Sequence, residues 1–120
     1  MKKVLVADDK AAGRELVRTF LEKSGHQVLE ASDGEEAVKE ALRIHPDLII
    51  LDIHMPGLDG FGVIEKLRRA EGFAATPIIA LTASAMMGDR ERAMSVGFTG
   101  YITKPIRLGA LRAEVERLLA

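Results

Sequence analysis

Leu48-Ile49-Ile50-Leu51-Asp52-Ile53-His54-Met55-Pro56-Gly57 is the stretch that decides the fold. Four apolar residues run without a polar break, which predicts a strand buried on both faces, as in the middle of a parallel sheet. The run stops at Asp52, and a turn rich in proline and glycine follows. Nearer the start, Val4-Leu5-Val6-Ala7 repeats the pattern and stops at Asp8-Asp9. Two buried-type strands that both end in carboxylates can gather those acids at one sheet edge. Such crowding is unfavourable unless a cation or a reaction uses it.

Outward from these strands, the period alternates. Ala11 to Ser24 predicts a helix with Ala12, Leu16, Val17, Phe20 and Leu21 on one face and Arg14, Glu15, Arg18 and Glu22 elsewhere; Gly25 stops it. Gln27 to Ala31 predicts a second strand. Asp33 then caps a helix, with Glu36 three residues on and a stripe of Ala37, Val38, Ala41 and Leu42. His45-Pro46 ends it. Phe61, Ile64 and Leu67 mark a third helix to about Glu71, Pro77 to Leu81 a fourth strand, and Asp89 to Val96 a fourth helix closed by Gly97. Tyr101 and Ile102 form a short fifth strand, and Leu108, Leu111, Val115, Leu118 and Leu119 stripe the last helix.

Alternating strands and helices predict an α/β fold: a flavodoxin-like doubly wound five-stranded parallel sheet, order 2-1-3-4-5, with five helices. Sites in such sheets form at the carboxyl ends of the strands where the order reverses, here between the strands ending in Asp8-Asp9 and Asp52. The fourth strand brings Thr82 to that edge, and Lys104 follows the fifth.

Bulk composition narrows the function. At 120 residues, 48% of them hydrophobic, the chain reads as one domain, residues 1–120, with a full core. Absence of cysteine excludes disulfides and thiolate metal sites. Seventeen basic and eighteen acidic residues nearly cancel, so no direct nucleic-acid or membrane partner is expected. No signal-peptide core and no apolar stretch of roughly 20 residues occurs, so a cytoplasmic protein is expected.

Three carboxylates, a hydroxyl and an ammonium suit phosphate chemistry. A hard cation such as Mg2+ takes oxygen ligands, one or two of them carboxylates. In phosphoryl transfer the metal, a lysine and a hydroxyl can each serve an equatorial oxygen. A carboxylate can be the nucleophile, giving an aspartyl phosphate. Asp52, ending the central strand, is the candidate nucleophile, with Asp8 and Asp9 holding the metal.

The ordered set of motifs is specific. Asp8-Asp9, Asp47-Leu48-Ile49-Ile50-Leu51-Asp52, Met55-Pro56-Gly57-Leu58-Asp59-Gly60, Thr82-Ala83 and Tyr101-Ile102-Thr103-Lys104-Pro105 resemble a receiver domain of the two-component response regulators, of the chemotaxis-regulator type, from Lys3 to about Leu119. The resemblance implies that Asp52 accepts a phosphoryl group from a phosphohistidine on a histidine kinase or histidine phosphotransfer protein. It implies that Asp9, Asp52 and the backbone carbonyl of His54 ligate Mg2+, with Asp8 acting through a metal-bound water. Lys104 would bind the phosphoryl group next to a cis Lys104-Pro105 bond. Thr82 would move to a phosphoryl oxygen and Tyr101 would turn inward. A downstream protein target would read the face of the fourth helix, fifth strand and fifth helix, including parts of Arg90 to Met94 and Leu108 to Glu116. His54 and Lys10 vary in the family and bear on the rates of phosphorylation and dephosphorylation.

Plainer readings stand beside these. A lone acid before a helix caps it, His26 and His45 read as ordinary loop residues, and Asp89-Arg90-Glu91-Arg92 reads as a solvated face. Met86-Met87 reads as core or as adaptable contact surface, with a lean to contact surface. Other functions stay open: a receiver excised from a hybrid kinase or longer regulator, an Asp-nucleophile phosphatase, a flavin carrier of the same topology, or an unphosphorylated binding module. The phosphatase reading lacks a second acid two residues after Asp52, where His54 stands. The flavin reading lacks a phosphate-cradling loop after the first strand. No output domain follows Leu119-Ala120, so a stand-alone regulator is the simple expectation.

Overall fold

The computed structural model describes residues 2–83 and 89–120. Strands β1 (Lys3–Ala7), β2 (Gln27–Ala31), β3 (Leu48–Asp52), β4 (Ile78–Thr82) and β5 (Gly100–Thr103) alternate with helices α1 (Ala11–Lys23), α2 (Gly34–Ile44), α3 (Gly60–Arg69), α4 (Asp89–Ser95) and α5 (Leu108–Leu119). The strands form one parallel sheet in the order β2-β1-β3-β4-β5. That is the expected fold class. Every residue of β3 is buried, as its unbroken apolar run requires.

Side chains alternate along each strand, so the sheet divides two apolar layers. Leu5, Ala7, Ile49, Leu51, Ile78 and Ala80 face α2 and α3, where Ala37, Ala41, Val63, Ile64 and Leu67 close the layer. Val4, Val6, Leu48, Ile50, Ile79 and Leu81 face α1 and α5, meeting Val17, Leu21, Leu111 and Val115. Burying a side chain of this size contributes about 1.5–3 kcal/mol.

Helix ends follow the local chemistry. Asp33 caps α2 by accepting from the Glu36 N–H at 2.8 Å, while Glu36 reaches back to the Ser32 N–H at 2.7 Å. Asp59 caps α3 through the Gly62 N–H at 2.9 Å. Neither acid of Asp8-Asp9 caps α1, whose N-cap is Lys10 without a side-chain bond.

Several details depart from the expectations. Ala12, Leu16, Leu42 and Leu108 are exposed, because a helix lying on a sheet buries a strip narrower than its apolar stripe. α3 stops at Arg69. His45 is no ordinary loop residue: it closes α2 in the left-handed region at φ 47° and stacks on Phe73 at 4.8 Å. Arg90, Glu91 and Arg92 are exposed, as a solvated face requires, and the Arg92 guanidinium in addition lies over the Phe61 ring. Met86 and Met87 fall outside the described residues.

Candidate functional site

The parallel register sets the site. Ala7 pairs with Leu51 and Asp52 with Leu81, so β1, β3 and β4 end level. Asp8, Asp52 and Thr82 therefore emerge at one edge, and all three are buried. The turn after β3 is sewn down by the Ile53 N–H to Leu81 O at 2.9 Å and the Gly60 N–H to Ile53 O at 2.8 Å. Gly60 has to be glycine here, because a Cβ would sit 2.6 Å from Ile53 Cα and 2.8 Å from Asp52 O. Gly13 of α1 plays a like part: a Cβ there would stand 2.6 Å from Asp8 Oδ2.

Lys104 crosses the opening. Its backbone N–H donates to Thr82 O at 2.7 Å, which fixes where the side chain starts. Its Nζ then reaches Asp52 Oδ2 at 2.9 Å and Asp8 Oδ2 at 3.1 Å. The Lys104–Pro105 bond is cis. Asp52 Oδ1 accepts from the His54 N–H at 2.9 Å, and Asp8 Oδ1 from the Lys10 N–H at 3.0 Å. The carboxylates of Asp8, Asp9 and Asp52 each offer an oxygen within 4.8 Å of the others. Asp9 Oδ1 is buried, and no hydrogen bond reaches it among the described residues.

Charge does not balance. Three carboxylates share one ammonium. Burial raises the Asp52 carboxyl above its ordinary value, and the Asp8 charge adds to that; hydrogen bonds from Lys104 and the His54 N–H pull the other way and lose. Burial works to lower Lys104, but hydrogen bonds to Asp52 and then Asp8 hold it above its usual value. The buried, unpartnered Asp9 oxygen and the excess of hard oxygen donors fit a Mg2+ ion.

A response regulator receiver domain model matches residues 4–116. The chain belongs to the response regulator receiver domain family. Receiver domains are signalling domains that take phosphoryl groups from histidine kinases. The alkaline phosphatase synthesis transcriptional regulatory protein PhoP of Bacillus subtilis is 41% identical over 118 residues, covering 98% of this chain and 48% of that protein. The DNA-binding dual master transcriptional regulator RpaA of Synechocystis is 38% identical, covering 99% of this chain and 49% of that one. The chain thus spans about half the length of the curated relatives it matches. Among solved structures, the chemotaxis protein CheY4 of Vibrio cholerae superposes with a TM-score of 0.92 at 33% identity, covering 98% of each chain. The receiver domain of sensor histidine kinase PA1611 of Pseudomonas aeruginosa gives 0.90 at 32% identity, covering 98% of this chain and 97% of that one, and holds a magnesium ion in its active site cleft.

Beside residues that the sequence singled out, the rest of the receiver surface adds Arg107, Arg14 and Arg68. Tyr101 is half-buried against the core, and with Arg90, Lys104, Arg107 and Glu114 it lines a groove of about 810 Å3 beside β5 and α5. Arg14 donates to Asp8 O at 2.7 Å and to Glu30 at 3.2 Å, tying the acidic edge to β2. Arg68 donates to the carbonyls of Phe73, Thr76 and Gly97. A basic residue near a helix C-terminus was the one signal for Arg68; two of its partners lie in the loop that follows and the third is 29 positions away. No described helix is long and apolar enough to cross a membrane.

Proposed function

We propose that this receiver is a phosphorylation-controlled switch in two-component signalling, with Asp52 as the residue that is phosphorylated. The observation that carries the reading is Lys104 Nζ bridging Asp52 and Asp8 at 2.9 and 3.1 Å beside the unpartnered Asp9 oxygen. That arrangement has an acceptor carboxylate, a cation already in reach of it, and an oxygen with no role in the fold.

Asp9, Asp52 and the His54 carbonyl would hold Mg2+, with Asp8 acting through water. Bound there, Mg2+ would neutralise carboxylates and phosphoryl oxygens together. The Asp52 oxygen attacks phosphorus, and the bond to the donor's histidine nitrogen breaks, its electron pair staying on the imidazole. Lys104 is placed to bind the incoming phosphoryl oxygens, because it already spans the opening. Thr82, at the end of β4, supplies a hydroxyl, and Tyr101 in the neighbouring groove would respond to its movement. The loaded state differs from the free state in contacts to Thr82 and Lys104, and a population shift follows from that difference.

The donor would be a histidine kinase or a histidine phosphotransfer protein. The output would be a protein bound at the α4-β5-α5 face, where the groove beside Tyr101 opens. The whole of residues 1–120 would act as one receiver unit. No external substrate would be turned over.

The test is incubation with acetyl phosphate and Mg2+, read by intact mass. The wild type gains one phosphoryl group, and chelation of the metal prevents it. Asp52→Asn gains none. Labelling of Asp52→Asn at the wild-type level overturns the proposal, and continuous release of phosphate from a generic ester favours the phosphatase reading instead.

A further inference from the structure

Next to the acidic cluster lies a small cleft of about 50 Å3 lined by Ile53, His54, Phe61, Thr82 and Arg92. A space of that size can hold a water molecule or a single polar group. Arg92 reaches it from α4, and its guanidinium carbon stands 4.2 Å above the centroid of the Phe61 ring. Phe61 in turn meets Phe98 edge-on, with centroids 6.1 Å apart and planes at 84°. No carboxylate pairs with Arg92 among the described residues. Among the described residues Arg92 is thus a cation without an anion, resting on a ring, at the rim of a cleft shared with Thr82.

We propose that Arg92 is a further phosphoryl-binding residue: it rests on Phe61 in the unmodified protein and moves into this cleft to hydrogen-bond an oxygen of the phosphoryl group on Asp52, prolonging the life of the acyl phosphate. The inference rests on the reading of Asp52 as the acceptor. Arg92 is itself exposed, and a solvated cation over the face of a half-buried ring is weakly held. The planar guanidinium fork matches a phosphate oxygen pair and binds it more strongly. The arrival of an anion beside Thr82 therefore favours departure from the ring.

The effect on lifetime follows from the hydrolysis step. A water oxygen bonds to phosphorus, the bond from phosphorus to the Asp52 oxygen breaks, and its electron pair returns to the carboxylate. The water protons leave with inorganic phosphate. The transition state spreads charge over the three equatorial oxygens, with the attacking and leaving oxygens in line. A guanidinium seated in the cleft occupies space that a water would otherwise fill. Water has to displace it, breaking its hydrogen bond to the phosphoryl oxygen, before it can enter from this side. That slows hydrolysis.

The test compares wild type, Arg92→Met and Arg92→Lys after loading with acetyl phosphate and Mg2+ and removal of the donor. Arg92→Met should lose its phosphoryl group about three- to tenfold faster than wild type, the loss of one charge-assisted hydrogen bond. Arg92→Lys, which keeps the charge but not the fork, should fall between them. The exposed position of Arg92 lets both variants fold, which thermal melts check. Binding is read independently from the side-chain Nε–H resonance of Arg92, assigned by its absence in Arg92→Lys; it should shift on loading, together with the Phe61 ring resonances. An unchanged half-life in Arg92→Met, or an unmoved Nε–H resonance in a loaded wild type, overturns the inference and leaves Asp52 as acceptor. Failure of the wild type to load at all overturns both readings.

Discussion

Asp52 shows what a single residue carries at this site. Burial and the Asp8 charge raise its carboxyl above the ordinary value, against Lys104 and the His54 N–H. The folded, metal-free protein therefore binds that proton more tightly than the unfolded chain does. The stability this contributes is fully present below the unfolded value of about 3.9 and is lost as pH rises through the raised folded value. Asp8, Asp9 and Lys104 face the same group, so a reference is needed that keeps them all. Asp52→Asn is that reference, and it retains an acceptor for Lys104. In chelator, wild type should lose stability relative to Asp52→Asn as pH rises from about 4 toward 7. Denaturant melts at several pH values measure it, and a difference that stays flat or grows in the wild type's favour contradicts the raised carboxyl. The acids themselves were legible, because each closes an apolar run. The partner of each oxygen was not: Lys104 lies 96 positions from Asp8, and no local pattern encodes that contact.

At the scale of elements, the turn between β3 and α3 is the most constrained joint. Gly60 opens α3 directly behind the Asp52 and Ile53 backbone, with no room for a Cβ. Gly60→Ala drives a methyl group against backbone atoms that cannot rotate away, at a cost of about 1–3 kcal/mol. Because the displaced atoms belong to Asp52 and Ile53, phosphoryl uptake should slow in the same variant. A thermal melt and an acetyl phosphate time course test both halves; a Gly60→Ala protein as stable as wild type would show that the turn relaxes freely. Strands and helix types were legible from period alone, since the β1 and β3 runs leave little choice. The buried strip of each helix was less so. Leu16, Leu42 and Leu108 continue apolar stripes yet stay exposed, at 44%, 47% and 42%. Apolarity marks the side of a helix that can face a sheet, while the crossing geometry decides how far round the contact extends.

Across the whole molecule, the sheet has two poles with different tasks. Its carboxyl pole gathers Asp8, Asp52, Thr82 and Lys104. Its amino pole is tied by Arg68, which runs from the last turn of α3 to Phe73 O at 2.6 Å, Thr76 O at 2.8 Å and Gly97 O at 2.6 Å. Those carbonyls precede β4 and β5, so one guanidinium joins two connections, the farther of them 29 positions away. Burial lowers Arg68 below its usual value, and only carbonyl dipoles answer its charge among these contacts. Arg68→Met keeps the length and apolar stem but leaves three carbonyls to water or to nothing. The expected loss is about 1–3 kcal/mol, the cost of leaving partly buried polar groups unpaired. Arg68→Lys cannot fork to all three and should recover only part of it. Since the site sits at the other pole, Arg68→Met should still take up a phosphoryl group from acetyl phosphate at close to the wild-type rate once it is folded. Denaturant melts and mass-resolved labelling separate the two effects. Loss of labelling in a protein still folded at the assay temperature would mean that the poles are coupled through β4 and β5, and that Arg68 sets the position of Thr82 and Lys104 from across the sheet.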